Sequence, residues 1–324
     1  MRLMTEPMFM IPVFHEKIWG GTGLHDRFNY DIPTDHTGEA WAISAHPHGP
    51  ATVVNGEFKG ESLDTIWAQH REVFGNAKGD VFPLLTKILD AHEDLSVQVH
   101  PDDAYAEEHE HELGKTECWY VIAAEPGAKL YYGHHAQTRE QLADWINNDQ
   151  WDKLFRTVPV KAGDFFYVPS GTIHALGAGI MVLETQQSSD TTYRVYDWDR
   201  TDAKGRKRPL HKQQSIDVTT VPHVDPKLDV TKTTVGKATI TKFVASEFFA
   251  VYEWRTNGGE AHFSRGKAPY TLASVLDGRG ELIVPGEQPY TLVKGMHFII
   301  PFGIKEWTVK GDVQIIASEP GAKA

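Results

Sequence analysis

Three short stretches carry residue types that could do chemistry together. In LSVQVHPDD (95–103), strand alternation puts Ser96, Gln98 and His100 on one face and Val97 and Val99 on the other. In GKTECWYVI (114–122), Lys115, Glu117 and Trp119 share a face, and Thr116, Cys118 and Tyr120 share the opposite one. In VPSGTIHALG (168–177), His174 opens a strand after a Pro-x-Gly turn. Two imidazoles, a carboxylate and the Gln98 amide make a donor set suited to a divalent transition metal, which in a catalytic zinc site keeps one position open. Blander alternatives stand beside this one. Gln98 and His100 could face water from an edge strand, and Lys115 and Glu117 could form a surface ion pair of little worth. The chain has 17 histidines, so single coincidences are expected. The apolar run Trp119 to Ile122 nevertheless argues that the Glu117 strand is buried. A buried carboxylate needs a partner or a metal.

The elements that must position these groups are mostly short strands. DFFYVP (164–169), IMVLETQ (180–186), HFIIP (297–301) and VQIIAS (313–318) are β-rich runs bounded by Gly, Pro and Asp. Helical segments are expected as insertions over roughly 61–75, 101–113 and 138–156. Ser62, Asp102 and Thr138 are their candidate caps, and Gln141 completes a capping-box pattern with Thr138. One frame recurs along the chain. Gly163, Pro169, Gly171 and His174 are spaced as Gly295, Pro301, Gly303 and Glu306 are. Each copy reads as turn, apolar strand, Pro-x-Gly turn and new strand, so the sequence implies two related β modules. DGRGEL (277–282) reads as a hairpin-type turn in the second.

Bulk properties exclude several classes. A chain of 324 residues with net charge −12 lacks the basic balance of a nucleic-acid binder. An anionic ligand would require cations gathered locally against that field. The basic run RKRPLHKQQ (206–214) is read as a solvated connection. The single cysteine, Cys118, is assigned to packing and fits a reducing compartment. No leader pattern and no span of about 20 apolar residues is present, so cytoplasm is expected and a membrane partner is not.

The repeated frame resembles the second motif of the cupin superfamily, small jelly-roll barrels that often hold a metal on inward His and Glu side chains. The resemblance implies a mainly β bicupin of two jelly-roll-like barrels with inserted helices. Residues 1–220 would form the metal-binding catalytic cupin domain, 221–235 a linker, and 236–324 a second, metal-free cupin domain. Together with IWGG (18–21), GEAWAISAHPHG (38–49), FPLLTKILDA (82–91) and LETQQSSDTTYRVYDWDR (183–200), the three site stretches closely resemble the type I mannose-6-phosphate isomerases in their short bacterial form. The match is dense to about His211 and thin afterwards. It implies a zinc enzyme, one ion per chain, that interconverts mannose 6-phosphate and fructose 6-phosphate. The family's zinc ligands fall on His100, Glu117 and His174, with Gln98 at the place of a fourth ligand in longer relatives, and its catalytic arginine falls on Arg194. Where the cupin motif has a compact His-x-His, Gln98 takes the first position here. The insertion 101–113 then separates His100 from Glu117 and is a candidate wall of the substrate cleft.

Aldose–ketose isomerisation needs a base for a carbon acid, a partner for an enediolate oxygen, and a path for hydroxyl protons. Arg194 stays protonated, so it can stabilise an anion but not act as an ordinary base. Glu184, on the strand after His174, is the base candidate; a surface carboxylate is its alternative. Lys115 could bind phosphate, transfer a proton, or pair structurally with Glu117. Ser96 and Lys87 are candidate phosphate or hydroxyl contacts, Asp190 could orient Arg194 or a sugar hydroxyl, and Trp19 could be a sugar platform or a core residue. A small phosphosugar is the expected partner, with the chain a monomer or weak homodimer. The rival reading is a cupin without isomerase activity: a sugar-phosphate sensor, or an iron oxygenase using two His and a carboxylate.

Overall fold

Alternating and apolar runs form three antiparallel sheets in a computed structural model that describes residues 4–201 and 204–324. A six-stranded sheet runs in the order Phe165–Val168, Glu117–Ala124, Ile180–Gln187, Leu84–Ala91, Thr37–Ile43 and Val13–Gly21. A five-stranded sheet runs Tyr193–Tyr196, Val97–Val99, His174–Leu176, Lys129–His134 and Phe155–Pro159. Their facing sides share one core. Trp119, Val121, Val182 and Leu89 of the larger sheet pack with Val97, Val99, Leu130 and Ala175 of the smaller. By alternation Glu117, Glu184 and Lys87 belong to that same inward face, so charged groups are drawn into the barrel at one end of an apolar interior.

The other face of the six-stranded sheet is not wet. Ile88, Cys118, Tyr120 and Leu183 pack against Leu63, Ile66, Trp67 and Phe74 of an inserted helical segment and against Phe249, Tyr270 and Ile316 of the C-terminal sheet. Burial on both faces is why CWYVIAA (118–124) and IMVL (180–183) read as continuous apolar runs rather than as clean alternation. The C-terminal module is a ten-stranded sheet wrapped around a third core that includes Trp254, Val275, Phe298 and Ile315. The chain is therefore mainly β, as expected.

Helices occur where insertions were expected, at Leu63–Gln69, Asp103–His109, Arg139–Asn147 and Trp151–Leu154, with a 3-10 turn at Arg71–Phe74. Asp102 accepts from the Tyr105 amide at 2.9 Å and Thr138 from the Gln141 amide at 3.2 Å, so both act as caps. Ser62 makes no capping bond; its hydroxyl pairs with Thr65 at 2.9 Å instead. DGRGEL is not a turn. It lies inside the strand Thr271–Ile283, where Gly278 takes φ +81° beside a register shift between Val275 and Asp277. A glycine with positive φ serves a bulge as readily as a turn, and local sequence does not separate the two.

Both copies of the repeated frame deliver a strand, Phe165–Val168 and His297–Ile300. Gly171 shows what the first copy gains from its Pro-x-Gly turn. Its φ is +80°, a Cβ there would lie 2.9 Å from the Val218 carbonyl, and its amide donates to the His100 carbonyl at 2.8 Å. The turn thus ties one metal-ligand candidate to the approach of the next. In the second copy Glu306 is exposed and pairs across to Ser264. The strand Met8–Ile11, from the segment expected in the first domain, pairs with His297–Ile300 in the C-terminal sheet. The strand Thr231–Val235 falls within the expected linker and pairs with Ala238–Ala245. Among the described residues, no helix is long and apolar enough to cross a membrane.

Candidate metal centre and substrate cavity

His100 follows the strand Val97–Val99, Glu117 opens Glu117–Ala124, and His174 opens His174–Leu176. The two sheets bring these ends together. One ligand atom from each residue lies within 4.8 Å of the others, and all three residues are buried. Glu117 Oε2 is 3.4 Å from His100 Nε2, and Oε1 is 3.2 Å from His174 Nε2. Each ring is oriented by backbone: His100 Nδ1 donates to the Thr191 carbonyl at 2.9 Å, and His174 Nδ1 donates to the Thr172 carbonyl at 2.8 Å. That fixes the tautomer and leaves both Nε2 lone pairs pointing at Glu117. Glu117 Oε1 is buried without a hydrogen-bond donor. An unsatisfied buried carboxylate oxygen 3.2 Å from the His174 Nε2, with the His100 Nε2 beside the other oxygen of the same carboxylate, fits a divalent cation of nitrogen and oxygen preference. The Gln98 amide end stands 3.4 Å from His174 Nε2, so flipping the amide would present its oxygen to the same point.

Electrostatics agree with the donor set. Burial, then the Lys115 charge, lowers His100 to about 3, and burial lowers His174. Both imidazoles are therefore neutral and available as donors. Burial alone would raise Glu117, but the Lys115 charge overcomes it and brings the carboxylate well below its ordinary range.

Beside these residues lies a cavity of about 310 Å³. Its wall includes Trp19, Lys87, Ser96, Gln98, Lys115, Glu184, Asp190 and Arg194, so the structure gathers the other sequence candidates into one place. Lys115 donates to Glu117 and lies 3.0 Å from His100 Nε2 and 3.7 Å from Glu184. Glu184 faces its neighbours through strand register, which sets it opposite both Lys87 and Trp119. Trp119 Nε1 donates to it at 2.8 Å, and Lys87 Nζ is 3.3 Å away. Glu184 is thus a buried inward carboxylate, not a surface one. Burial, then the Glu117 charge, raises its pKa against the pull of Lys87 and Lys115. Burial works against the Lys87 charge, but Glu184 and Glu39 more than offset it.

Asp190 Oδ2 meets His48 Nδ1 at 3.0 Å. Arg194 donates from Nη1 to the Pro209 carbonyl at 2.9 Å. Among the described residues no carboxylate lies within ion-pair distance of it, and its Nε has no partner. Trp19 both lines the cavity and joins the barrel core. Cys118 points into the opposite core, away from the site.

Sequence reasoning missed several wall residues. Glu39 is buried and held by Lys17 at 3.3 Å, Lys87 at 3.9 Å and Trp41 Nε1 at 2.7 Å. Burial opposes its charge, yet Lys87 and Lys17 bring its pKa down to about 2. A lone carboxylate within TGEAWAI was the available signal. The RKRPLHKQQ run is only partly a solvated connection, because Arg208 lines the cavity while pairing with Asp197 at 2.6 Å. Nothing local in a basic run tells which guanidinium turns inward.

A β-barrel whose interior carries a His/Glu/His cluster beside a cationic cavity defines a cupin protein with a metal-ligand set. Comparison with known proteins narrows the class. A family model of the phosphomannose isomerase type I catalytic domain matches residues 8–144, and one of the mannose-6-phosphate isomerase cupin domain matches residues 239–320. The chain is 57% identical to a mannose-6-phosphate isomerase of Streptococcus mutans over 97% of its own length and 98% of that protein. It is 49% identical to Mannose-6-phosphate isomerase ManA of Bacillus subtilis, covering 97% of this chain and 99% of the other. A crystal structure of the mannose 6-phosphate isomerase from Bacillus subtilis superposes with TM-score 0.93 at 51% identity, covering 97% and 99% of the two chains. The chain belongs to the type I phosphomannose isomerase family.

Proposed function

We propose that the chain interconverts mannose 6-phosphate and fructose 6-phosphate through an enediolate, with one zinc ion held by His100, Glu117 and His174 and Gln98 as a further donor. The observation that carries this reading is the convergence of two neutral Nε2 atoms on the Glu117 carboxylate beside a cavity rich in cations. Five Lys and Arg residues (Lys17, Lys87, Lys115, Arg194, Arg208) line the cavity against three carboxylates (Glu39, Glu184, Asp190). That is a local excess of two positive charges in a chain of net −12. It suits a polar anion better than the apolar substrate of an oxygenase.

Zinc, when bound, supplies a Lewis acid for the sugar's oxygen atoms. Glu184 takes the C2 proton of the aldose and returns it to C1; its raised basicity and its place in the wall support that role. Lys115 passes the hydroxyl proton from O2 to O1; its contacts with Glu117 and Glu184 support that role. Arg194, with no carboxylate partner among the described residues, keeps its charge for the phosphate or an enediolate oxygen. Ser96 and Lys87 contact phosphate or hydroxyl groups, Asp190 accepts from a sugar hydroxyl, and the Trp19 ring is a platform. The lone buried Cys118 is compatible with the cytoplasm.

A coupled assay tests the proposal. Mannose 6-phosphate is supplied and fructose 6-phosphate detected before chelation, after chelation, and after zinc is restored. Conversion lost to the chelator and recovered with zinc is expected. Zinc retained without conversion would sink the isomerase assignment and favour a sugar-phosphate sensor.

A further inference from the structure

The insertion 101–113 carries six carboxylates, a composition that reads as a solvated acidic face. Three of them turn back onto the chain segment that leads from Glu184 to Arg194. Asp103 Oδ1 accepts from Gln187 Nε2 at 2.8 Å. Glu110 Oε1 accepts from the buried Tyr193 hydroxyl at 2.8 Å. Glu112 is the most committed. Its Oε2 accepts from Thr191 Oγ1 at 2.8 Å, Ser189 Oγ at 3.0 Å and the Asp190 amide at 3.3 Å. Its Oε1 stands 3.5 Å from His46 Nε2. The His46 ring is itself oriented, because its Nδ1 accepts from the His48 amide at 3.2 Å, which leaves the proton on the nitrogen facing Glu112.

The segment so gripped has two duties at the site. Asp190 and Thr192 belong to the cavity wall, and the Thr191 carbonyl accepts from His100 Nδ1. We propose that Glu112 is a positioning residue that latches the acidic insertion to residues 189–191 and thereby sets both the orientation of the metal-ligand candidate His100 and the place of Asp190 in the substrate cavity. Glu112 touches neither a ligand atom nor the cavity. It acts through Thr191 on the metal and through Asp190 on the substrate. The inference rests on the zinc reading above.

The experiment measures zinc affinity by competition with a chromophoric chelator, the melting temperature of the zinc-free protein, and KM and kcat for mannose 6-phosphate. The proteins are wild type, His174→Ala, Glu112→Ala, Glu112→Gln, Thr191→Val and the double variant Glu112→Ala/Thr191→Val. Changing a partner that orients a metal ligand costs about 10–100-fold in affinity. Glu112 stands one link further out, so the zinc dissociation constant should rise about tenfold in Glu112→Ala, with KM rising more than kcat falls. Glu112→Gln should fall between wild type and Glu112→Ala, because its amide oxygen can accept the same two hydroxyls while its NH2 group meets the His46 N–H. The effects of Glu112→Ala and Thr191→Val on zinc affinity should not add, since one passes through the other. Unchanged zinc affinity in Glu112→Ala, with only a lowered melting temperature, would reduce Glu112 to a structural residue and overturn the proposal. Full additivity in the double variant would overturn it too. If wild type binds zinc no better than His174→Ala, the metal reading itself is what has failed.

Discussion

Glu184→Gln is the substitution that separates chemistry from architecture at this site. The amide is nearly isosteric and can still accept from Trp119 Nε1, which donates at 2.8 Å. It removes one negative charge next to Lys87 and Lys115. At an effective dielectric of about 20, Glu184 at 3.3 Å and Glu39 at 3.9 Å attract Lys87 by about 5 and about 4 kcal/mol in gross Coulomb energy. Lys87 therefore keeps nearly half its attraction, and the cost of burying the Glu184 charge is regained. Breaking a buried pair outright costs about 3–5 kcal/mol, so with one carboxylate left the net loss of stability should be about 1–3 kcal/mol. The fold survives that loss. Turnover should not: losing a positioned general base costs about 10²–10⁴-fold, or about 2.7–5.4 kcal/mol of activation free energy. Zinc content should match wild type, because Glu184 is not among the ligand atoms. The assay is steady-state conversion of mannose 6-phosphate by zinc-loaded protein, with metal content measured on the same sample. A loaded variant whose kcat stays within about threefold of wild type would refute the assignment, since that lies far below any general-base effect.

Arg194→Ala should leave zinc content intact and lower kcat/KM by about 10²–10³-fold, the usual cost of losing one preorganised charge-stabilising donor. Arg194→Lys should recover only part of it, because an ammonium cannot reproduce the guanidinium fork. Near-normal kcat/KM in the alanine variant would remove Arg194 from the mechanism. His297 makes a prediction remote from the His100, Glu117 and His174 cluster. Its Nδ1 meets Ser274 Oγ at 2.8 Å and its Nε2 meets the Tyr30 hydroxyl at 2.7 Å, while Tyr30 donates onward to the Gly295 carbonyl. Burial among these neutral groups lowers His297 to about 3 from its ordinary 6.5. The unfolded chain therefore takes up a proton below pH 6.5 that the folded chain refuses, and stability falls with pH by at most about 1.4 kcal/mol per unit until about 3. His297→Gln removes that penalty. Denaturant titrations should show wild type losing about 2 kcal/mol relative to the variant between pH 7.5 and 5. A gap independent of pH would contradict the burial argument.

Much of the site was legible because side-chain direction in a strand is a local property. Alternation alone put Gln98 with His100 and Glu117 with Lys115, and the structure places all four at one end of the barrel. Helix positions were legible for the same reason, as Asp102 and Thr138 show by capping where they were expected to. Where local chemistry is ambiguous the expectation failed: Gly278 bends a strand rather than closing a hairpin, and Ser62 bonds a side chain rather than the helix amides.

Residue types and shared faces are written in single segments, so the sequence by itself determined that Gln98 goes with His100 and Lys115 with Glu117 on short strands of a β-rich chain. Only the tertiary structure decided which charges they meet. Lys87, Glu184 and Trp119 share a row because strands far apart in sequence pair in one register, and a slip of one residue would turn each side chain to the opposite core. Glu39, Arg208 and Glu112 stayed hidden because each acts across a distance in sequence, Glu39 on Lys87, Arg208 beside Arg194, and Glu112 on Thr191. Alternation reports the side of a strand. It cannot report the strand, loop or insertion that folding brings opposite.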